Sequence, residues 1–250
     1  MKNTITKVLG IFLVFVLWHL ASEVVNPLFL PKPIVVLNSF KDIVVSGQLL
    51  KGLWYSFFRI LIASVLSASI AIPLGLLIYS FKFINNLIYP LIKSLRYVPV
   101  TAFYPLLIMW VGINEEMKVT FLFIATFLYM LPSVVLTLSE INVSLLDTAK
   151  TLGMGKIKLI YMVLLPVSLP VILQSFVMMF GIGWTYIPVV ETINAKYGLG
   201  YIITQSTSRG RTDLVFVSII TIIIVSILFD NLATYLVKKV CKWRFLNDRT

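Results

Sequence analysis

The residue types that most often carry out chemistry in enzymes are scarce in this sequence. His19 and Cys241 are its only histidine and its only cysteine. A single chain can therefore build neither a disulfide framework nor a zinc site or catalytic pair of the Cys/His type. The patterns GxxxxGK[ST], HExxH and GxSxG, which mark phosphate loops, zinc proteases and serine hydrolases, do not occur in it. We expect no catalytic residue, no cofactor and no metal site.

Charged residues inside apolar segments are the remaining candidates, because an ionisable group in lipid costs about 3 kcal/mol or more. Glu191 follows Pro188 at the end of an apolar run, where it is either an exposed loop carboxylate or an acid on a solute pathway. Lys93 and Arg96 either extend to the membrane surface or attract an anion near an inner gate. Asp230 either pairs with a polar neighbour or serves a pathway.

The composition decides what kind of fold must position these residues. The 250 residues are 59% hydrophobic and 12% charged, whereas soluble domains carry about 45 to 50% apolar and about 25% charged residues. The chain is therefore predicted to be an integral membrane protein. Its net charge of +11 is explained by the accumulation of Lys and Arg in cytoplasmic segments, so no nucleic-acid partner is expected.

Long apolar runs predict an all-α, polytopic membrane protein with about six transmembrane helices in one transmembrane domain, 1–250. The third run contains Pro90, Pro99 and Pro105, and prolines inside a span require neighbours that satisfy the freed carbonyls, so this span should be enclosed by the others. The basic C-terminal tail places both termini in the cytoplasm. The six predicted spans are residues 8–25, 60–81, 87–113, 119–139, 159–190 and 214–237.

Residues 140–158, between spans four and five, interrupt the apolar pattern with a short polar helix on the cytoplasmic side. Ser144 and Asp147 fit the start signal of a helix, and Gly153 supplies the left-handed residue that ends one. A helix this short needs a partner surface to be stable. We predict that one of its faces is formed by Leu145, Leu146, Ala149 and Leu152.

The residues of this loop resemble a motif of the binding-protein-dependent ABC transporter permeases, E-A-A-x-x-x-G-x9-I-x-L-P. Ala149, Gly153 and Pro166 match it, while Asp147, Thr148 and Val163 stand in place of its Glu, first Ala and Ile. Further segments are similar to the nitrate, sulfonate, taurine and bicarbonate branch. They are LPKP at 30–33, SFFR at 56–59, LRYVPVTAFYPLLIMWVGI at 95–113, and Glu191 with GLGYII at 198–203.

The resemblance implies a permease subunit of an ATP-driven importer in the bacterial plasma membrane. Two permease subunits would form the pore, most simply as a homodimer, with a cytoplasmic ATP-binding subunit and an extracytoplasmic substrate-binding protein as partners. The loop would couple ATP hydrolysis in the partner to movement of the spans. The residues implied in this coupling are Asp147, Thr148, Ala149, Gly153 and Pro166.

The solute pathway is less well defined by the sequence. Tyr97, Thr101, Tyr104 and Trp184 are candidates beside Glu191, although aromatic side chains in such a chain commonly pack or lie at the membrane surface. The branch is compatible with a small sulfonate, taurine, nitrate or a pyrimidine precursor of thiamine as solute. Two other classes stay open at this point: an ion-driven secondary transporter and a membrane-embedded hydrolase.

Overall fold

The computed structural model describes residues 2–95, 97 and 99–244, and within these residues the chain is helical and contains no strand. The all-α class is thereby confirmed. Turns of 3₁₀ helix cover Val100–Phe103 and Lys242–Arg244, and a π-helical turn, Ile160–Leu164, joins α8 to α9. The helices are α1 Lys2–Val24, α2 Pro33–Val45, α3 Gln48–Ser80, α4 Lys82–Leu95, α5 Tyr104–Val111, α6 Glu115–Ser139, α7 Val143–Thr151, α8 Lys156–Leu159, α9 Leu165–Val190, α10 Leu199–Ser208 and α11 Thr212–Val240.

Four helical segments of the described chain are long and apolar enough to cross a membrane: Gln48–Ser80, Glu115–Ser139, Lys156–Val190 and Thr212–Val240. The first of them begins at Gln48 rather than at residue 60, because Arg59 is accommodated inside the helix instead of ending it. Leu9–Val24 and Val100–Val111 are shorter apolar helices. The count of six spans stays a prediction.

The predicted third span, 87–113, is divided in the structure rather than continuous. Helix α4 ends at Leu95, and α5 begins only at Tyr104, after the turn that Pro99 precedes. Proline lacks the N–H that a helix needs and disfavours helical geometry in the residue before it, which accounts for the break. Arg96, one of the two basic residues considered for this segment, lies outside the described residues, and Lys93 is exposed on α4.

Helices α3, α6 and α9 form the centre of the bundle, with α10 and α11 against α9 and with α2 against α11. Within their most apolar stretches, 56% of the residues of α6 are buried but only 22% of those of α11. Helix α11 therefore belongs to the periphery. Two glycines permit the close approach at the centre: Gly75 of α3 faces Val134, and Gly183 of α9 faces Ile60.

The core consists of two clusters, one toward each end of the bundle. The first contains Phe121, Phe180 and Trp184 near the start of α6 and the end of α9. The second contains Leu138 and Leu146 and lies at the opposite end. Because Leu146 belongs to α7, this short helix is packed onto the membrane bundle.

Candidate coupling surface

Helix α7 begins two residues earlier in the chain than the sequence pattern indicated. Asn142 is its N-cap, and its Oδ1 accepts hydrogen bonds from the backbone N–H of Ser144 at 2.9 Å and from the Ser144 hydroxyl at 2.8 Å. Asp147 does not return to cap the helix start but forms an exposed ion pair with Lys150, at 2.9 Å. The cap is therefore Asn142 and not Ser144, the start that the sequence predicted, because both the backbone N–H and the hydroxyl of Ser144 donate to Asn142.

The apolar residues of α7 divide between two faces rather than sharing one. Leu146 and Ala149 are three residues apart and are both buried against the bundle. Leu145 and Leu152 are seven residues apart, so they share a different face; both are exposed, Leu152 to 75% of its surface. One face thus holds α7 to the membrane helices, and the other presents leucines outward.

The end of α7 is a Schellman motif built on Gly153. The N–H of Met154 donates to the carbonyl of Ala149 at 3.1 Å, and the N–H of Gly153 donates to that of Lys150 at 2.9 Å. Gly153 has φ +79°, the left-handed conformation, although nothing lies within 4 Å of the position a Cβ would take. The backbone conformation, and not crowding, therefore requires glycine at this position.

Pro166 lies in the first turn of α9, directly after the π-helical turn. Across this turn the N–H of Leu165 donates to the carbonyl of Ile160, five residues back. Proline has no N–H to continue a regular ladder of helix hydrogen bonds, and the wider turn accommodates the absence of this N–H.

Thr148 is exposed on α7 and donates its hydroxyl to the carbonyl of Ser144 at 2.8 Å. The coupling candidates thus lie on one continuous segment from α7 to the start of α9.

The pathway candidates are scattered, except that Tyr104 contacts Val190 and Thr192, the two residues that flank Glu191. Tyr97 is 73% exposed and Thr101 is also exposed, while the half-buried Tyr104 donates its hydroxyl to the carbonyl of Val190 at 3.3 Å. Trp184 is only 2% exposed and packs edge-on against Phe180 in the core. Asp230 is exposed on α11, and no ion pair to it occurs among the described residues.

Glu191 is fully buried, which rules out the exposed loop carboxylate. Its carboxylate accepts hydrogen bonds from Arg59 Nη1 at 2.6 Å, from Ser56 Oγ at 2.8 Å and from the N–H of Gly200 at 2.8 Å. Burial raises the pKa of Glu191, whereas Arg59 and the two other donors act in the opposite direction. A Cβ on Gly198 would collide with this carboxylate. The two glycines of GLGYII, Gly198 and Gly200, are therefore required because there is no room for a side chain beside Glu191.

Arg59 extends this contact into a cluster that joins three parts of the chain. It also pairs with Glu115 at 2.6 Å and donates to the carbonyl of Tyr197 at 2.8 Å. Lys118 is completely buried, and its Nζ donates hydrogen bonds to Glu115 Oε1 and to the carbonyl of Asn194, both at 3.1 Å. The predicted spans 60–81 and 119–139 begin directly after Arg59 and Lys118, so neither residue is a site candidate from the sequence alone. The sequence does contain a sign of this cluster. Ser56 and Arg59 are three residues apart, as are Glu115 and Lys118, and this spacing places each pair on one helix face.

Comparison with known proteins shows to which family the chain belongs. Residues 71–242 match the model of the binding-protein-dependent transport system inner membrane component. The chain belongs to this family of transport permeases. A relative from Methanocaldococcus jannaschii, which is named as an ABC transporter permease protein, is 30% identical over 97% of the chain and 93% of its own length. The taurine transport system permease protein of Escherichia coli is 28% identical over 92% of the chain and 86% of its own length.

A solved structure supports the fold independently of sequence. The methionine ABC transporter MetNI, in an inward-facing conformation, contains a chain that aligns with a TM-score of 0.70 at 17% identity, over 78% of this permease and 97% of that chain. The relatives include permeases named for sulfonates, taurine and nitrate, so the branch resemblance is confirmed. This membership favours the transport permease over the two other classes that the sequence left open.

Proposed function

We propose that this permease is the membrane subunit of an ATP-driven importer and that α7 is the helix through which a separate ATP-hydrolysing subunit moves the spans. The observation that supports this role is the two-sided packing of α7. Leu146 and Ala149 fix the helix to the bundle, while Leu145 and Leu152 stay exposed. Exposed leucines beside the Asp147–Lys150 pair suit an interface with a protein partner, which buries apolar anchors inside a polar rim.

The path from α7 to the membrane is short and stiff, as the transmission of a movement requires. Only the turn at Gly153 separates α7 from the helical segment Lys156–Val190, which is continuous into the centre of the bundle. A displacement of α7 is therefore passed to a span that packs against α3 and α6. In this proposal α7 and both termini are cytoplasmic, the protein resides in the bacterial plasma membrane, and two copies form the pore.

The solute is proposed from the relatives and not from a site in this chain. Permeases of this branch are named for taurine, aliphatic sulfonates and nitrate, so we propose a small sulfonate-like or nitrate-like anion, with a pyrimidine precursor of thiamine as the second solute class. An extracytoplasmic binding protein would deliver the solute. The ligand retained by that binding protein identifies it directly.

Replacing Gly153 by proline tests the role of α7. Proline fixes φ near −65°, so it cannot adopt the +79° of Gly153, and it removes the N–H that closes the Schellman motif. We expect Gly153→Pro to insert into the membrane at wild-type levels but to lose binding-protein-stimulated ATP hydrolysis and uptake at least tenfold. Both are measured on the complete transporter in proteoliposomes.

Gly155 provides a matched control two residues away. Its φ of −65° and ψ of 160° already suit proline, and a Cβ there would meet nothing within 4 Å. We expect Gly155→Pro to retain uptake within about twofold of wild type. Wild-type uptake by Gly153→Pro would show that α7 is not the coupling element, even though the chain would still belong to its family.

A further inference from the structure

Helix α9 has one side that the described part of the chain leaves open. The exposed residues of α9 between residues 168 and 190 are Gln174, Met178 and Thr185. Their spacings of four and seven residues place them on one face of the helix. We call this face, together with the half-buried Ser175 and Tyr186 beside it, the α9 stripe. Gln174 lies at the middle of the 35-residue segment Lys156–Val190, which places it near the centre of the bilayer.

The α9 stripe does not have the composition of a surface that faces lipid. Its Gln174 amide forms no hydrogen bond with any described residue, and in hydrocarbon an amide loses its hydrogen bonds to water without replacement. Polar side chains within a membrane therefore face the interior of an assembly or a water-filled cavity. The open side of α11 is different, because every exposed residue between 212 and 229 is apolar: Ile219, Ile223, Ile224, Ile227 and Leu228.

Hydroxyl groups extend the polar surface from α9 onto α6. The Oγ of Ser175 lies 2.8 Å from the Oγ of Ser133 on α6. Tyr186 is one turn further toward Glu191 than Ile182, and its hydroxyl interacts with that of Tyr129, which is also on α6. The two helices thus share a row of hydroxyl groups beside the open amide. A row of this kind suits a hydrated surface between helices.

The break between α4 and α5 is an independent observation that concerns the same surface. Tyr104 begins α5, and its hydroxyl lies 3.3 Å from both the carbonyl of Val190 and the Oγ1 of Thr192, at the end of the α9 stripe. The turn Val100–Phe103 comes directly before Tyr104, and its Thr101 is exposed. Irregular backbone at membrane depth occurs only where it is buried in protein or lines a water-filled cavity. The break and the α9 stripe therefore point to one water-filled space.

The α9 stripe offers hydrogen bonds without a fixed charge. Residues 159–190 contain no Asp, Glu, Lys or Arg. The amide N–H groups of Gln174 can donate to the oxygens of an anion and replace part of its hydration shell. A solute that passes through a membrane protein must be bound well enough to enter and weakly enough to leave. Neutral donors meet this requirement better than a buried lysine or arginine, which would retain the anion.

We infer that the α9 stripe lines the solute pathway where two copies of the permease meet, and that Gln174 is the mid-membrane group that contacts the small oxyanion. This inference rests on the proposed function, in which two copies form the pore. Tyr104 belongs to the same lining, at the Glu191 end of the stripe. Trp184 does not, because it is buried in the core on another side of α9.

The test is the reactivity of single cysteines with a small methanethiosulfonate reagent that carries a sulfonate group, measured on the complete transporter in membranes. Gln174→Cys and Thr185→Cys are made in the Cys241→Ser background. The matched control is Ile223→Cys, an exposed position on the apolar side of α11. Since the thiolate is the reactive form and is disfavoured in apolar surroundings, both stripe cysteines should react at least about tenfold faster than the control. The reagent belongs to the solute class proposed here, so its arrival at Gln174→Cys also shows that a small sulfonate can enter.

Two results would overturn the inference. If Gln174→Cys and Thr185→Cys react as slowly as Ile223→Cys, the α9 stripe faces lipid. If Gln174→Cys forms a disulfide between two copies but does not react with the reagent, the stripe is a dry contact between the copies. Failure of the proposed function gives a different result, because Gly153→Pro tests coupling through α7 by uptake and ATP hydrolysis, and its outcome does not alter the labelling of the stripe.

Discussion

At the scale of single residues, the buried ionic cluster is the most demanding feature of the permease. Two charges taken out of water are stable only if their remaining hydrogen-bonding groups are also satisfied. Arg59 meets this condition through Glu191, Glu115 and the carbonyl of Tyr197. The carboxylate of Glu191 also accepts bonds from Ser56 and from the backbone of Gly200. The cluster thereby joins α3, the start of α6 and the α9–α10 connection.

Glu191→Gln should therefore destabilise the permease strongly. The substitution keeps the shape of the side chain but leaves Arg59 with one carboxylate in a buried site, and removing one partner of a buried pair costs about 3 to 5 kcal/mol. Thermal unfolding of the purified protein is the measurement. Glu116→Gln, an exposed acid next to the cluster residue Glu115, is the control and should leave the Tm within about 1 °C. A Tm for Glu191→Gln equal to that of Glu116→Gln would contradict the stabilising role of the cluster.

At the scale of helices, the packing of α3, α6 and α9 depends on small residues. Lipid is as apolar as leucine, so membrane helices associate through close packing rather than through burial from water. A Cβ on Gly183 would lie 2.5 Å from Cγ2 of Ile60, and one on Gly75 would lie 2.5 Å from Cγ1 of Val134. Both facing residues are β-branched, and their stiff side chains cannot rotate away without cost.

Gly183→Ala should consequently weaken the contact between α9 and α3. Overpacking by one methyl group in a tight core costs about 1 to 3 kcal/mol, which predicts a lower Tm. Gly181→Ala is the matched control on the same helix, because a Cβ at Gly181 would meet nothing within 4 Å. If both variants unfold at the same temperature, the close approach at Ile60 does not limit stability. Ile60→Ala removes the clashing Cγ2, so a smaller loss of Tm on Ile60→Ala in the Gly183→Ala background than in the wild type would support the steric explanation.

At the scale of the whole molecule, the two ends of the bundle differ in character. Helix α3 has 33 residues, so it is about 50 Å long, and it connects the two ends. The ionic cluster lies in its first half, near Arg59, whereas its end at Tyr79 and Ser80 lines a cavity together with Leu146 and Lys150 of α7. The proposed mechanism requires that the second end faces the cytoplasm, where the ATP-hydrolysing partner would be.

Labelling of single cysteines tests this orientation. Thr151→Cys on α7 and Lys196→Cys in the α9–α10 connection are both exposed positions at opposite ends. A membrane-impermeant maleimide should label Lys196→Cys in intact cells and Thr151→Cys only after permeabilisation. The native Cys241 is buried, and it is replaced by serine in both variants so that it adds no background. Labelling of Thr151→Cys in intact cells would place α7 on the outer side and exclude its coupling role.

The class of this protein follows from its sequence alone, because composition and local spacing act without reference to distant residues. An apolar content of 59% required a membrane fold, and the spacing from Ala149 through Gly153 to Pro166 indicated the family and the position of a short helix. The helix end at Gly153 was predictable for the same reason, since a left-handed residue is a property of the local backbone.

Which side chains the bundle buries depends on the packing of its helices and is not evident from the sequence. Leu145 and Leu146 are adjacent and chemically identical, yet only Leu146 contacts the core. The sequence left Glu191 as either a loop acid or a pathway acid, because its partners, Ser56 and Arg59, are more than 130 residues away in the chain. Burial and ion pairing depend on contacts between distant segments, and these are established only when α3, α6 and α9 pack together.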